Sequence, residues 1–498
     1  VENKNYKKYK VEMQKVAHLR YASAVLQWDQ ETYMPVKGAG YRGQQIALLS
    51  SLSHQYFTSA KMERLLRALL EDESLSFIQK RNVKQSFHDF ERLKKLPVSF
   101  VKKLSETVNA SFHAWIAARK KNDFLIFEPL LSKIARLKIE EAEYIGYQDN
   151  RYDALLQEFD QSLDVATINK VFGDLQPALK SLVHNIYRKP IPADSFMRQH
   201  FSKEKQWEWG LELLRNMHFN FESGRQDLSE HPFTTNFSAE DVRVTTRINE
   251  QDLASMAWSC IHEGGHALYE QGLPAGDYGL PSGEYCSLSI HESQSRLWEN
   301  CLGRSKPYWE FHFPKLQQIF PEQLRDIDTD EFYRAINKVQ PSLIRTEADE
   351  LTYHFHVMIR YELEKKIINN EITVKDIPAY WNEQYSQIIG VTPPDDLSGC
   401  LQDVHWSHGS FGYFATYSIG SLYAAQFFQK IGEATRGLDA QLVLGNSLPV
   451  WHWLRENIYA WGKIYNAEEL CEKATGEKLN SRYFLDYAKK KYGEIYKL

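Results

Sequence analysis

Apolar and charged positions recur at helical spacing along almost the whole chain. Stripes with a period of about 3.6 run through residues 5–33, 42–72, 78–95, 98–120 and 126–147, parted by short turns such as Lys95-Leu96-Pro97. The same pattern predicts helices over 166–187, 203–219, 346–369, 373–388, 411–430 and 479–493. One stretch, 231–250, breaks the rule: from Phe233 to Arg247 the β-branched alternation Val242-Arg243-Val244-Thr245-Thr246 predicts one or two strands. No repeat, low-complexity tract or Gly/Ser linker marks a boundary, so residues 1–498 are expected to form a single domain. The pattern predicts an all-α chain, mainly helical, with a small β-sheet.

Directly after the predicted strands comes another apolar helical stretch. Leu253, Ala254, Met256, Ala257, Trp258 and Ile261 lead into His262-Glu263-Gly264-Gly265-His266, and Ala267, Leu268 and Tyr269 follow. Two histidines four apart lie one turn from each other on one helix face, so both imidazoles can reach a single metal ion. The glutamate beside the first can take a proton from water that the metal polarises. Two polar residues on a solvated face are the plain alternative, but the apolar flanks oppose it, because buried histidines and a glutamate need partners. The Gly264-Gly265 pair costs about 2 kcal/mol of helix propensity relative to two alanines. That cost is understandable where another backbone or a substrate passes close by. The preceding strand could offer an extended peptide an edge to pair with, although a structural hairpin explains it equally well.

A catalytic site of this kind needs a third protein ligand and one open position. A histidine six residues past the second would extend the motif, but that position is Gly272. A glutamate on a second helix is the other solution, with Glu284, Glu292 and Glu299 as candidates. Glu292, mid-helix among apolar neighbours, is favoured. A closed structural zinc site would need a fourth ligand, usually cysteine. Cys260 falls on another helix face and Cys286 has no matching partner.

Composition narrows the setting. A chain of 498 residues that is 43% hydrophobic can bury a large core. A net charge of −5 without a long basic run argues against nucleic acid as a partner. Five cysteines, an odd number with no C-x-x-C, suit a reducing cytoplasm. No window of about 18 apolar residues exists and the first residues show no signal core, so neither membrane nor export is expected.

Other segments concentrate polar chemistry: His231-Pro232-Phe233, Ile344-Arg345-Thr346-Glu347-Ala348-Asp349, and Gly399-Cys400-Leu401-Gln402-Asp403-Val404-His405-Trp406-Ser407-His408 before Tyr413 and Tyr417. Arg345 near a helix start stands at the wrong end for a cation, so a specific anion partner is expected. With Asp241-Val242-Arg243-Val244-Thr245, His262 to His266 and His291-Glu292-Ser293-Gln294, these segments form six ordered motifs. On them the chain resembles the carboxypeptidase Taq family of zinc metallocarboxypeptidases over nearly its whole length. Trp28-Asp29-Gln30-Glu31-Thr32-Tyr33-Met34-Pro35 is similar to that family's opening. In Phe414-Ala415-Thr416-Tyr417, Ala415 stands where the family is expected to have proline.

The resemblance implies a helical fold like that of neurolysin and angiotensin-converting enzyme, two-lobed with a deep central groove and the small sheet near the active site. It implies a homodimer that releases single residues from the C-terminus of peptides, with broad side-chain tolerance. By carry-over His262, His266 and Glu292 bind one zinc ion, for which cobalt or manganese could substitute, and Glu263 is the general base. Tyr413 and His408 are nominated to stabilise the oxyanion, by analogy with the related oligopeptidases. A free α-carboxylate calls for an arginine fork: Arg345 first, then Arg243, which could instead pair with Asp241 or Asp252. His231 and His405 are further candidates for contacting substrate. An oligopeptidase of the same fold, or a scaffold with structural zinc, are the competing readings.

Overall fold

The computed structural model describes residues 3–498, and its helices follow the apolar stripes closely. The first stripe is one helix, Lys4–Thr32, opened by the side chain of Asn3, which accepts from the backbone of Asn5 and Tyr6. The stripe at 42–72 is two helices instead, Ala39–Phe57 and Ala60–Leu70. Ser59 breaks it by accepting from the Met62 amide as an N-cap. The stripe expected from 346 starts as a helix only at Tyr353. Before it, the Asp349 carboxylate takes the Leu351 and Thr352 amides, and Arg345–Glu347 forms a lone 3-10 turn. Mainly helical with a small sheet, the fold class is as the sequence predicts.

Two compact units are each assembled from three separate stretches of chain. The first comprises 1–93, 193–336 and 423–479, and the second 94–192, 337–422 and 480–498.

The first unit holds the sheet, ordered β1-β3-β2: β1 Gly224–Leu228, β2 Thr234–Ser238 and β3 Asp241–Thr246. β2 runs antiparallel to β3 after a tight turn, and β1 lies parallel on its other side. Val242 and Val244 of β3 point into the core at 0 and 1% exposure, as period-two alternation requires. Against the sheet lies the motif helix, Leu253–Gly272, capped by Asp252, whose side chain accepts from the Ala254 amide. Its far side meets a second helix, Leu288–Arg296, capped by Ser287 and running on into a wider π-turn at Leu297–Leu302. The two helices touch backbone to backbone. A Cβ on Gly265 would sit 2.7 Å from both the Gln294 carbonyl oxygen and the Ser295 Cα. The glycine in the motif is there because the second helix passes at that point.

In the second unit, helices Val98–Lys121, Glu128–Ile145 and Tyr353–Ile368 pack against the segment from Gly399 to Tyr417, and helix Val165–Ile186 packs against Arg482–Tyr496. Glu364, fully buried, fastens that segment. One oxygen accepts the Trp406 indole N–H at 2.7 Å; the other accepts the Gly412 amide at 2.8 Å and the Tyr152 hydroxyl. Among the described residues no helix is long and apolar enough to cross a membrane.

Candidate active site

Burial decides what the motif helix must do with its polar residues. Glu263 is 8% exposed and Glu270, two turns on, 3%. Both turn to β2, whose residues two apart share a face. Thr234 donates its hydroxyl to the Glu263 carboxylate at 2.6 Å, with the Glu263 carbonyl oxygen 2.9 Å away. Asn236 donates to Glu270 at 2.6 Å. Burial lifts the carboxyl of Glu263 above the usual range, against the pull of His262 and the Thr234 hydrogen bond.

The two histidines turn the other way, to the second helix. Glu292 Oε2 lies 3.6 Å from His266 Nε2 and 4.0 Å from His262 Nε2, and its Oε1 accepts Arg296 Nε at 2.6 Å. Ligand atoms of these three residues fall within 4.8 Å of one another, the only such group of three or more among the described residues. Ligand bonds of about 2.0–2.2 Å in a tetrahedron put donor atoms roughly 3.3–3.6 Å apart, so the set fits a divalent metal after a small contraction. The outward nitrogens are also committed. His262 Nδ1 is 2.8 Å from Glu299 Oε2, and His266 Nδ1 is 2.6 Å from His291 Nδ1. Burial opposes the charge on Glu299, but Arg296, His262 and Arg304 outweigh it and hold the carboxyl well below its ordinary range. Burial first, then the electrostatic influence of the neighbouring His291, His262 and Arg296 side chains, depresses His266 far below the ordinary histidine value, which suits a neutral ligand.

The fold thus gives each candidate glutamate its own partner. Glu292 joins the histidines, Glu299 stands behind His262, and Glu284 pairs with Arg20. His231 is exposed. Arg243 is spent on Asp241, donating from Nε and Nη2 at 3.0 Å each, and lies between the Trp28 and Phe237 rings at 4.4 and 4.8 Å. Thr234, Asn236 and Glu270 were not singled out in the sequence. Glu270's spacing of seven from Glu263, on the same face, was the available signal.

The second unit gathers the other expected residues. Arg345, 6% exposed, donates from Nε to Asp403 at 3.0 Å and from Nη1 to the Tyr353 hydroxyl at 3.0 Å, with Nη2 2.9 Å from the same Asp403 oxygen. Arg360 takes the other Asp403 oxygen at 2.7 Å. Burial works against the Asp403 charge, but the two arginines prevail and keep its carboxyl ionised. One anion between two guanidiniums leaves this buried cluster one positive charge in excess. His405 bonds the Tyr417 hydroxyl through Nε2 at 2.9 Å, and its buried Nδ1 has no partner. Burial and then Arg345 push it down to about 3, so it is neutral. Tyr413 packs beside His405 and Tyr417, whereas His408 is exposed and lies against Phe112.

A helix that turns two histidines to a carboxylate on a second helix, with a glutamate beside the first histidine, is the arrangement of a class of metal-dependent peptidases. The chain belongs to the carboxypeptidase Taq (M32) metallopeptidase family, whose model matches residues 8–492. It is 39% identical to carboxypeptidase 1 of Bacillus subtilis over 488 residues, covering 98% of this chain and 97% of that one. Against the thermostable carboxypeptidase 1 of Pyrococcus furiosus the identity is 36% over 495 residues, with 99% of each covered. The fold is shared with the crystal structure of the M32 carboxypeptidase of Deinococcus radiodurans at a TM-score of 0.97, 38% identity and full coverage of both chains. The chain is therefore a metallocarboxypeptidase, an enzyme that acts on peptides with a divalent metal.

Proposed function

We propose that His262, His266 and Glu292 hold one zinc ion per chain, that Glu263 is the general base, and that the enzyme releases single C-terminal residues with broad side-chain tolerance. The observation that carries this is the convergence of His262 Nε2, His266 Nε2 and Glu292 Oε2 beside a buried carboxylate. When bound, the metal polarises water and the scissile carbonyl. Glu263 accepts the water's proton and returns it to the leaving amine. Thr234 holds that carboxylate in one rotamer, so the proton is taken from a fixed direction.

Arg345 is our assignment for recognising the free α-carboxylate. Three of its five N–H groups are engaged by Asp403 and Tyr353, and the uncompensated charge of its cluster favours an anion. His405, with its unpartnered Nδ1, is the histidine we assign to substrate contact, and Tyr413 the hydroxyl for the developing oxyanion. Five buried thiols without a disulfide support a cytoplasmic setting, and homodimeric assembly belongs to the same proposal. The test is hydrolysis of one short peptide with a free carboxylate, with a C-terminal amide, and blocked at both ends. Stepwise loss of single residues from the first form alone is expected. Glu263→Gln should retain metal and lose turnover by about 10²–10⁴-fold. Internal cleavage of the blocked peptide would instead make the enzyme an oligopeptidase.

A further inference from the structure

Behind His266 the polar atoms form an unbroken chain back to the sheet. His266 Nδ1 is 2.6 Å from His291 Nδ1, and His291 Nε2 is 2.8 Å from Glu270 Oε1. Glu270 Oε2 accepts the side-chain amide of Asn236, on β2, at 2.6 Å. The rings of Tyr269 and Tyr285 flank His291 and hold it in place.

Donor and acceptor chemistry gives this chain a direction. The side-chain amide of Asn236 donates to Glu270 Oε2, and with Oε1 accepting as well His291 carries its proton on Nε2. A neutral imidazole protonated there has its lone pair on Nδ1. Two Nδ1 atoms 2.6 Å apart share one proton, which must then belong to His266. That leaves the lone pair of His266 on Nε2, the atom 3.6 Å from Glu292 Oε2. With the chain reversed, His266 would carry a proton on Nε2 and could not ligate.

We propose that Glu270 and His291 are positioning residues for the metal site, which fix the Nδ1–H tautomer of His266 and so keep its Nε2 free to bind the ion. His262 receives the same service from Glu299 in a single step. On the His266 side one imidazole is interposed, and the chain ends on the strand that also orients the general base through Thr234. Outer partners of ligand histidines set ring orientation and basicity, and losing one lowers metal affinity by about 10–100-fold. The proposal rests on His266 being a ligand.

The experiment measures zinc affinity of the stripped full-length protein by competition with a chromophoric chelator, for the wild type, Glu270→Leu, Glu270→Gln and His266→Ala. Glu270→Leu removes the acceptor and should weaken binding by about 10–100-fold. Glu270→Gln should bind within a few-fold of the wild type, because its carbonyl still accepts from His291 and Asn236 can turn its amide to match. The tautomer itself is read from the wild-type protein with ¹⁵N-labelled histidine, where the resonances that vanish in His266→Ala identify this residue. A proton on His266 Nδ1 in the metal-free protein is expected. A proton on Nε2, or unchanged affinity in Glu270→Leu, overturns the proposal. Unchanged affinity in His266→Ala would overturn the ligand assignment beneath it instead.

Discussion

Gly265→Ala tests whether the spacing of two helices sets the metal geometry. The added Cβ would meet backbone atoms of the second helix, the Gln294 oxygen and Ser295 Cα at 2.7 Å and the Gln294 carbonyl carbon at 3.0 Å. Ordinary contact lies near 3.5 Å, so the helices must part by roughly 0.7–1 Å, and no side-chain rotation can relieve the clash. Overpacking of this kind costs about 1–3 kcal/mol, offset by about 1 kcal/mol of regained helix propensity. The fold should therefore survive with a net loss of roughly 0–2 kcal/mol. The larger effect falls on Glu292, one turn from the clash on the displaced helix. Ligand distances tolerate about 0.2 Å, so a shift of up to about 1 Å should lower zinc affinity by about 10–100-fold. Gly264→Ala is the control. Its Cβ would meet the flexible ends of Leu214 and Met217 at 2.8 Å, which can move aside. Chelator competition and thermal melting, with and without metal, separate the two effects. A Gly265→Ala protein that melts higher than the wild type and binds zinc as tightly would refute the reasoning.

Three further outcomes follow from other contacts. Asp403→Ala should destabilise the protein by about 3–5 kcal/mol, seen as a lower melting temperature, because Arg345 and Arg360 lose the anion they share. Burial pushes Glu364 up to about 7, against its three donors, so the folded protein binds a proton there that the unfolded chain releases near 4.5. The resulting stability is present below pH ~4.5 and lost as pH rises through ~7, at most roughly 3 kcal/mol, and Glu364→Gln should flatten that part of the melting-temperature profile. Stripping the metal with a chelator should abolish hydrolysis reversibly. Zinc at 1,000 times its Kd should then raise stability by about 4 kcal/mol, measured as an increase in melting temperature.

Many of the long helices were legible because they bury one stripe and leave the other face wet, whereas Tyr353–Ile368 is buried on nearly every side. Strand β1 was not, since its Gly224-Arg225-Gln226-Asp227-Leu228 has no apolar alternation and buries polar side chains at Gln226 and Asp227. The motif helix announced itself, and Gly265 of its glycine pair signalled the close approach of another backbone. Spacing could not separate Glu284, Glu292 and Glu299, because all three lie within reach of a second helix and only the packing at Gly265 fixes which carboxylate faces the histidines. The partners behind the histidines were hidden for a related reason. Asn236, Glu270 and His291 belong to three elements whose register is set by tertiary structure.

Each unit draws its wall from three distant stretches of chain, and this governs how the protein can be made. On the ribosome, the stretch from 1 to 93 must wait for Tyr423–Leu479 before its unit is complete, and the stretch from 94 to 192 waits for Asn480–Leu498. The buried carboxylate of Glu350 gains Lys491 at 2.8 Å and the Tyr492 hydroxyl at 2.9 Å only when that last helix arrives. Completing either unit therefore requires the closure of very long loops, which slows folding and prolongs the exposure of apolar surface that chaperones recognise.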